Sequence, residues 1–278
     1  MLINHFLHLI NIATNYFRRV TAPKKAAVCI NGIKLNIDPR SDIGFNLFYY
    51  KKFEFDEILA SSAMCLARFR SKKFTILDVG ANIGIHSLFL ADLCSHAKVI
   101  AFEPDPSTFA QLEMHIHNNK METIIKSVNI AISDVDEVAH FYITNDNAYN
   151  GLKNTNRKKI CGKLSVKVNT IDNWMAANNL PAVGLIKIDV EGLEHQVING
   201  ARNTIARYKP ILVVEIYRGK DSNSDPDATI RTLINMGYDP YIMHDGLLNK
   251  FKSPHSDQYY NYFFVPKEQE LDGVVSGS

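Results

Sequence analysis

Phe74-Thr-Ile-Leu-Asp-Val-Gly-Ala-Asn-Ile-Gly-Ile-His-Ser-Leu88 decides the fold. An apolar, β-branched run meets a turn built on Gly80 and Gly84, and an apolar-periodic segment follows. The pattern predicts a strand, a tight turn and a helix. Such a turn brings backbone N–H groups to a helix N-terminus, where an anionic ligand group is welcome. A second apolar run, Val99-Ile-Ala-Phe-Glu-Pro-Asp105, ends in an acid at the distance from the turn that nucleotide-binding βαβ units use for the ribose hydroxyls.

The spacing of the turn is G-x-x-x-G, not the G-x-G-x-x-G of dinucleotide sites, so the glycine that lets a pyrophosphate approach is missing. Asp78, just before the turn, suits a ligand that carries positive charge. S-adenosylmethionine (SAM) has an ammonium, a carboxylate, a sulfonium and an adenosine, but no phosphate. On this reading the turn takes the methionine end and Glu103 the ribose. The plainer alternative is a turn that only joins a strand to a helix.

Outward from this unit the alternation continues. Strands are expected at Val99–Phe102, Ile124–Asn129, Gly184–Ile188 and Pro210–Tyr217. Helices are expected at Gly84–Leu93, Pro106–Asn118, from Thr170, over Val190–Arg207 and over Pro226–Met236. Strands that alternate with helices imply an α/β fold, a mostly parallel, doubly wound sheet covered on both faces. The closing pair, Tyr238–Met243 and Tyr260–Val265, leaves no room for a helical crossover, so the last strand should run antiparallel. Ala139–Thr144 and Leu164–Asn169 read as two strands of a β insertion around 138–169, joined by a long polar loop with a mobile tip. Residues 1–70 form an N-terminal extension of helix, hairpin and helix. Its hairpin is signalled by Asn31-Gly32 between apolar runs. The main domain is expected over 71–267, and 268–278 as a loose tail.

Composition bounds the functional classes. The chain has 278 residues, 46% hydrophobic, with a formal net charge of +2. One large domain with a real core fits that length, and the small net charge does not favour nucleic-acid binding. Cys29, Cys65, Cys94 and Cys161 form no C-x-x-C pair. They read as buried thiols of a reducing, cytoplasmic compartment. Residues 1–20 carry apolar positions near helical spacing, interrupted by Asn and His and closed by Arg18-Arg19. They are too polar to span a membrane and lack the features of a signal peptide. The expected roles are packing on the domain, a homodimer contact, or an amphipathic helix on the inner face of a membrane.

Leu185-Ile-Lys-Ile-Asp-Val-Glu-Gly-Leu-Glu-His195 is the second dense cluster. Ligands of open α/β sheets sit at the carboxyl ends of the strands, which puts Asp78, Glu103 and Asp189 on one rim. Acids gathered there need a cation, supplied by a sulfonium or by a divalent metal held in part by Asp189. Helix capping is the plainer role for Asp189 and Glu191. His195 has the chemistry of a general base, and also that of an ordinary helix residue.

Five motifs together resemble the FkbM-type SAM-dependent methyltransferases: Leu77-Asp-Val-Gly-Ala-Asn-Ile-Gly84, Ala101-Phe-Glu-Pro-Asp105, Asn129-Ile-Ala-Ile-Ser-Asp134, Thr170-Ile-Asp-Asn-Trp174 and Ile186-Lys-Ile-Asp-Val-Glu-Gly-Leu-Glu194. The resemblance implies a Rossmann-like, seven-stranded class I methyltransferase sheet and methyl transfer to a hydroxyl of a sugar, glycan or secondary metabolite. It implies that Gly80, Asn82 and Gly84 hold the methionine moiety, that Glu103 binds the ribose and that Ser133 and Asp134 flank the adenine. Asp189 would sit beside the transferable methyl, with Asp189, Glu191 or His195 as base. The rival enzyme is a nucleotide-dependent sugar oxidoreductase. The rival outside enzymes is a non-catalytic partner protein on the same fold.

Overall fold

The computed structural model describes residues 14–70, 72–217, 225–252 and 258–269. It divides into two compact units, residues 1–53 and 54–278. Most of the N-terminal segment 1–20 and the tail 270–278 lie outside the described residues, so their expected roles are not addressed by it. No helix among the described residues is long and apolar enough to cross a membrane.

In the first unit, β1 (Ala26–Ile30) pairs antiparallel with β2 (Ile33–Ile37). Asn31 and Gly32 both have positive φ, 47° and 86°, as the expected Asn-Gly hairpin turn requires. Val28, Ile30, Ile33, Leu35 and Ile37 alternate inward and are buried. Cys29 falls on the outward phase of β1 and is exposed, as is Cys161 further on. Only Cys65 and Cys94 are the buried thiols expected of all four.

The second unit opens with α1 (Phe55–Phe69), which packs on two central strands. The division therefore falls at Phe53 rather than at residue 70, because this helix buries its apolar stripe on the sheet. Then follow β3 (Phe74–Val79), α2 (Ile85–Leu93), β4 (Ala97–Phe102), α3 (Pro106–Asn118), β5 (Ile125–Val128), β6 (Ala131–Ile132), β7 (Glu137–Thr144) and β8 (Ile160–Asn169). The remainder is α4 (Ile171–Ala177), β9 (Val183–Ile188), α5 (Glu194–Asn199), α6 (Arg202–Tyr208), β10 (Ile211–Glu215), α7 (Pro226–Asn235), β11 (Tyr238–His244), β12 (Leu247–Lys250) and β13 (Asn261–Pro266).

The main sheet has the order β12-β11-β13-β10-β9-β3-β4-β5. Strands β5, β4, β3, β9 and β10 are mutually parallel, and β13 inserts antiparallel between β10 and β11. This is the expected doubly wound α/β sheet with its antiparallel last strand, extended by one edge strand. That strand, β12, follows the Asp245-Gly246 turn, whose φ values are 50° and 73°. One face of the sheet packs Leu77, Val79, Ile186, Ile188, Leu212 and Val214 into the main core with Trp174. The Trp174 ring meets Phe102 edge-on at 5.0 Å, the packing role its helix called for.

One helix departs from the sequence pattern. The run Val190–Arg207 breaks into α5 and α6 at Gly200, where a Cβ would lie 2.1 Å from the Ser133 carbonyl oxygen. Thr170, where the helix before β9 is expected to start, caps α4 and accepts from the Asn173 N–H at 3.0 Å, while Asp172 accepts from Asn203 and Thr204 at the start of α6.

Candidate functional site

The site is set by register. Lys187 of β9 lies between Asp78 of β3 and Val213 of β10, and Ile188 faces Val214. Side chains alternate along a strand. Asp78, Lys187, Asp189 and Glu215 therefore share the sheet face opposite Ile188 and Val214, at the carboxyl ends of neighbouring strands. Glu103 follows directly on β4, so Asp78, Glu103 and Asp189 do lie along one rim.

The cation among these acids is a residue of the chain. Lys187 is buried, with Nζ 2.9 Å from Asp189 Oδ2 and 4.0 Å from Asp78 Oδ1. Burial works against its charge, but the two carboxylates outweigh burial and hold the ammonium above its usual pKa. Burial likewise opposes ionisation of Asp189. The Lys187 charge overcomes it and keeps that carboxyl below its usual range. Glu215, pushed well up by burial and then by Asp189, keeps its proton and hydrogen-bonds Asp189. The other oxygen of Asp78, Oδ2, accepts from Ser87 Oγ at 2.6 Å, while Oδ1 is buried without a hydrogen-bond partner. At the same rim His86 Nε2 stands 3.1 Å from Glu54. Among the described residues no three acids, histidines or cysteines are grouped to hold a metal ion. Asp189 is engaged by Lys187, and a metal does not fit here.

The glycine turn is closed by its own contacts. Gly80 and Ala81 N–H donate to Phe102 O, Asn82 N–H to Glu103 Oε2, Ile83 N–H to Asn82 Oδ1 and Gly84 N–H to Ala81 O. No N–H from 80 to 84 is left over to grip a phosphate, which weighs against a pyrophosphate cofactor. Both glycines are required: φ is +80° at Gly80 and +89° at Gly84, and a Cβ at Gly84 would lie 2.4 Å from Leu112 Cδ1.

Glu103 is buried and accepts N–H bonds from Asn82 and Asp105, both 2.9 Å. Burial outweighs those donors and pushes its carboxyl up to about 8. Asn129, at the end of β5, donates to the Glu103 carbonyl at 2.8 Å. Ser133 and Asp134 follow directly on β6. The Ser133 N–H donates to Asn169 O, its hydroxyl to Asp134, and Asp134 is exposed. No described contact joins either residue to Glu103 or to the turn, because β6 carries the chain into the small sheet β6-β8-β7.

The loop between β7 and β8 is fastened down rather than free. Asn147 donates to Asn82 Oδ1 at 3.2 Å, Asn150 to Asp105 Oδ2 at 3.0 Å, and Arg157 to Glu191 Oε2 at 2.7 Å. The Arg157 guanidinium lies over the rings of Tyr149 and Tyr217, 4.4 Å from each centroid. Under it is a cavity of about 10 Å³, room for about one water, lined by Arg157, Glu191, Gly192, Glu194, Glu215 and Tyr217.

Glu191 precedes α5 and does not cap it. It has φ +56°, a conformation that is uncommon outside glycine and concentrates at functional sites. Burial, then Asp189, push its carboxyl up to about 8, with Arg157 opposing. Glu194 is buried, accepts from the Gly192 N–H at 2.8 Å and is raised to about 7 by burial. His195, on α5, has Nδ1 buried without a hydrogen-bond partner.

These carboxyls set a pH dependence. Glu103, Glu191 and Glu194 hold protons in the folded chain that the unfolded chain, near 4.5, has released. The folded state binds more protons in that window, so stability must fall as pH rises from about 4.5 to 8. Each extra proton held costs about 1.4 kcal/mol for every pH unit crossed, so the decline should exceed about 3 kcal/mol. Urea unfolding at pH 5, 6.5 and 8 measures it, and Glu103→Gln should remove part of the slope. A flat profile would show that these groups ionise normally.

A family model, the methyltransferase FkbM domain, matches residues 78–240. This chain belongs to the FkbM methyltransferase family. The family match begins at Asp78 and takes in the glycine turn, Glu103, the insertion and the Asp189 cluster. A hexuronic acid methyltransferase of Haloferax volcanii, AglP, is 30% identical over 145 residues, 52% of this chain and 56% of that protein. The 2-O-methyltransferase NoeI of Sinorhizobium fredii is 26% identical over 163 residues, 52% of this chain and 66% of that protein. The chain thus spans less than two thirds of the length of these two relatives. A crystal structure of an FkbM methyltransferase from Methylobacillus flagellatus aligns with a TM-score of 0.44 at 20% identity, covering 72% of this chain and 47% of that one.

Proposed function

We propose that this chain transfers a methyl group from SAM to a hydroxyl oxygen, and that the acceptor is a sugar, free or within a glycan. The observation that carries the reading is the rim itself: a closed glycine turn, a buried acid after β4 and a cluster of acids after β9, within an FkbM domain. The two relatives named for methylation of a hexuronic acid and for 2-O-methylation support the sugar hydroxyl.

The residues fit SAM better than a dinucleotide. The turn offers no free N–H to a pyrophosphate, and its spacing lacks the glycine that a dinucleotide needs. Gly80, Asn82 and Gly84 would border the methionine moiety, and Glu103 would take the ribose hydroxyls. When bound, the cofactor supplies an electrophilic methyl on sulfonium. The chain must then align the acceptor, exclude water and remove one proton. Glu191 is the proposed proton acceptor, because a carboxyl held near 8 matches a neutral working pH. Asp189, kept ionised by Lys187, would stand by the transferable methyl, and His195 is the alternative base.

Calorimetric titration with S-adenosylhomocysteine and with NAD tests the cofactor. Binding of NAD without S-adenosylhomocysteine would overturn the reading in favour of an oxidoreductase. For the base, Glu191→Gln should lower methyl transfer from labelled SAM by about 100-fold or more while retaining S-adenosylhomocysteine affinity. Turnover in the wild type should rise with pH through about 8. Unchanged turnover in the variant removes Glu191 from that role.

A further inference from the structure

The chain is nearly neutral overall, but its charge is not evenly spread. Residues 147–171 contain Lys153, Arg157, Lys158, Lys159, Lys163 and Lys167 and no acid. Those six cations exceed the formal net charge of +2, so the rest of the chain carries −4 (+2 less +6). All six belong to the β7–β8 insertion. Strand alternation sorts the residues of β8. Val166 and Val168 face the small core with Ala131 and Phe141. Lys163, Ser165 and Lys167 face outward and are exposed. Across the pair these three meet Tyr142, His140 and Val138 of β7, so the outward sheet face is basic. Lys159, Lys163 and Lys167 have no carboxylate partner among the described residues. Lys163 and Lys167 stand roughly 13 Å apart along the strand at about 3.3 Å per residue. The same insertion delivers Arg157 to the acid cavity.

We propose that the outward face of β7–β8 binds an anionic oligosaccharide, the continuation of an acidic glycan whose acceptor sugar is presented to the rim beside Arg157. The proposal rests on the sugar-methylating reading and narrows its substrate class to acidic chains. Three observations favour a carboxylate-bearing glycan over other polyanions. The aromatic rings beside the cations are already covered, Tyr142 by Lys163 and Tyr149 by Lys158, each at 4.7 Å. A lysine over each ring leaves less face for the base stacking on which single-stranded nucleic acids depend. Val138, 68% exposed, is the one large aliphatic exposed on this face among the described residues, too little apolar surface to enter a lipid layer. The patch is also continuous in the chain with the residue that roofs the cavity.

Binding of oligogalacturonate to the full chain, followed by fluorescence anisotropy at 50 and 200 mM NaCl, tests this, with dextran oligomers as neutral control. Oligogalacturonate should bind, weaken as salt rises, and lose at least tenfold in affinity in the double variant Lys163→Glu, Lys167→Glu. Both side chains are exposed, so the variant's melting temperature and its affinity for S-adenosylhomocysteine should stay unchanged. Absence of oligogalacturonate binding at 50 mM salt overturns the proposal, as does equal affinity in the variant. Tighter binding of single-stranded DNA, or of phosphatidylglycerol vesicles, overturns it in favour of that partner. S-adenosylhomocysteine binding separates the two readings. If it persists without oligogalacturonate binding, only the glycan surface is lost. If it fails while the patch still binds, the methyl-transfer reading is lost instead.

Discussion

Gly80→Ala is expected to cost more stability than almost any other single-methyl change in the chain. A Cβ at this position would lie 1.8 Å from the Asp189 carbonyl oxygen and 2.9 Å from its carbonyl carbon. Both atoms are backbone, so no side chain can swing aside. The end of β9 would have to move away from β3, breaking the bond from Asp189 N–H to Val79 O. The φ of +80° adds a penalty of about 1 kcal/mol for any residue with a Cβ. Together these place the variant in the class above about 4 kcal/mol, a fall in melting temperature of roughly 10 °C for a domain of this size. The matched control is Gly162→Ala in β8, where nothing lies within 4 Å of the new atom, and its melting temperature should stay within about 2 °C of wild type. Thermal unfolding of the three proteins decides it. A Gly80→Ala protein as stable as the control would mean that the turn and the Asp189 loop are not in contact.

The same contact shows why the fold was legible in the sequence and the site only partly so. The strand-turn-helix at Phe74–Leu88 and the short closing hairpin follow from periodicity and turn residues, which are local signals. Rim positions are local too, since a residue just past an apolar run lies at a strand end. Asp78, Glu103 and Asp189 could be placed that way. What neutralises them could not, because it depends on which strands become neighbours. Lys187 is the one charged residue in the apolar strand β9, yet only the pairing of β9 with β3 turns it into the partner of Asp78. Glu215 gains its meaning only from lying beside Asp189 on β10. Glu54 and Arg157 come from segments far apart in the chain and carried no motif.

Lys187→Met tests the centre of the site. Methionine fills a similar volume but leaves Asp189 and the unpartnered Asp78 Oδ1 buried without a cation. Removing one partner of a buried ion pair typically costs about 3–5 kcal/mol, and that loss should appear at pH 8. The sign of its pH dependence follows from Asp189. In the wild type its carboxyl is held low by Lys187, so the stability it contributes is present above its unfolded value, near 3.8, and is lost on acidification. In the variant the buried carboxyl would instead take up a proton readily, so the folded variant gains stability as pH falls. The gap between the two proteins should therefore narrow from pH 8 to pH 5. The double variant Lys187→Met, Asp189→Asn should recover part of the loss, because the uncompensated charge is gone, and the two single changes should not add. Urea unfolding of the four proteins at both pH values gives the whole cycle. A gap that is the same at pH 5 and pH 8, with additive single changes, would mean that Lys187 acts through packing and not as the counter-ion of the rim.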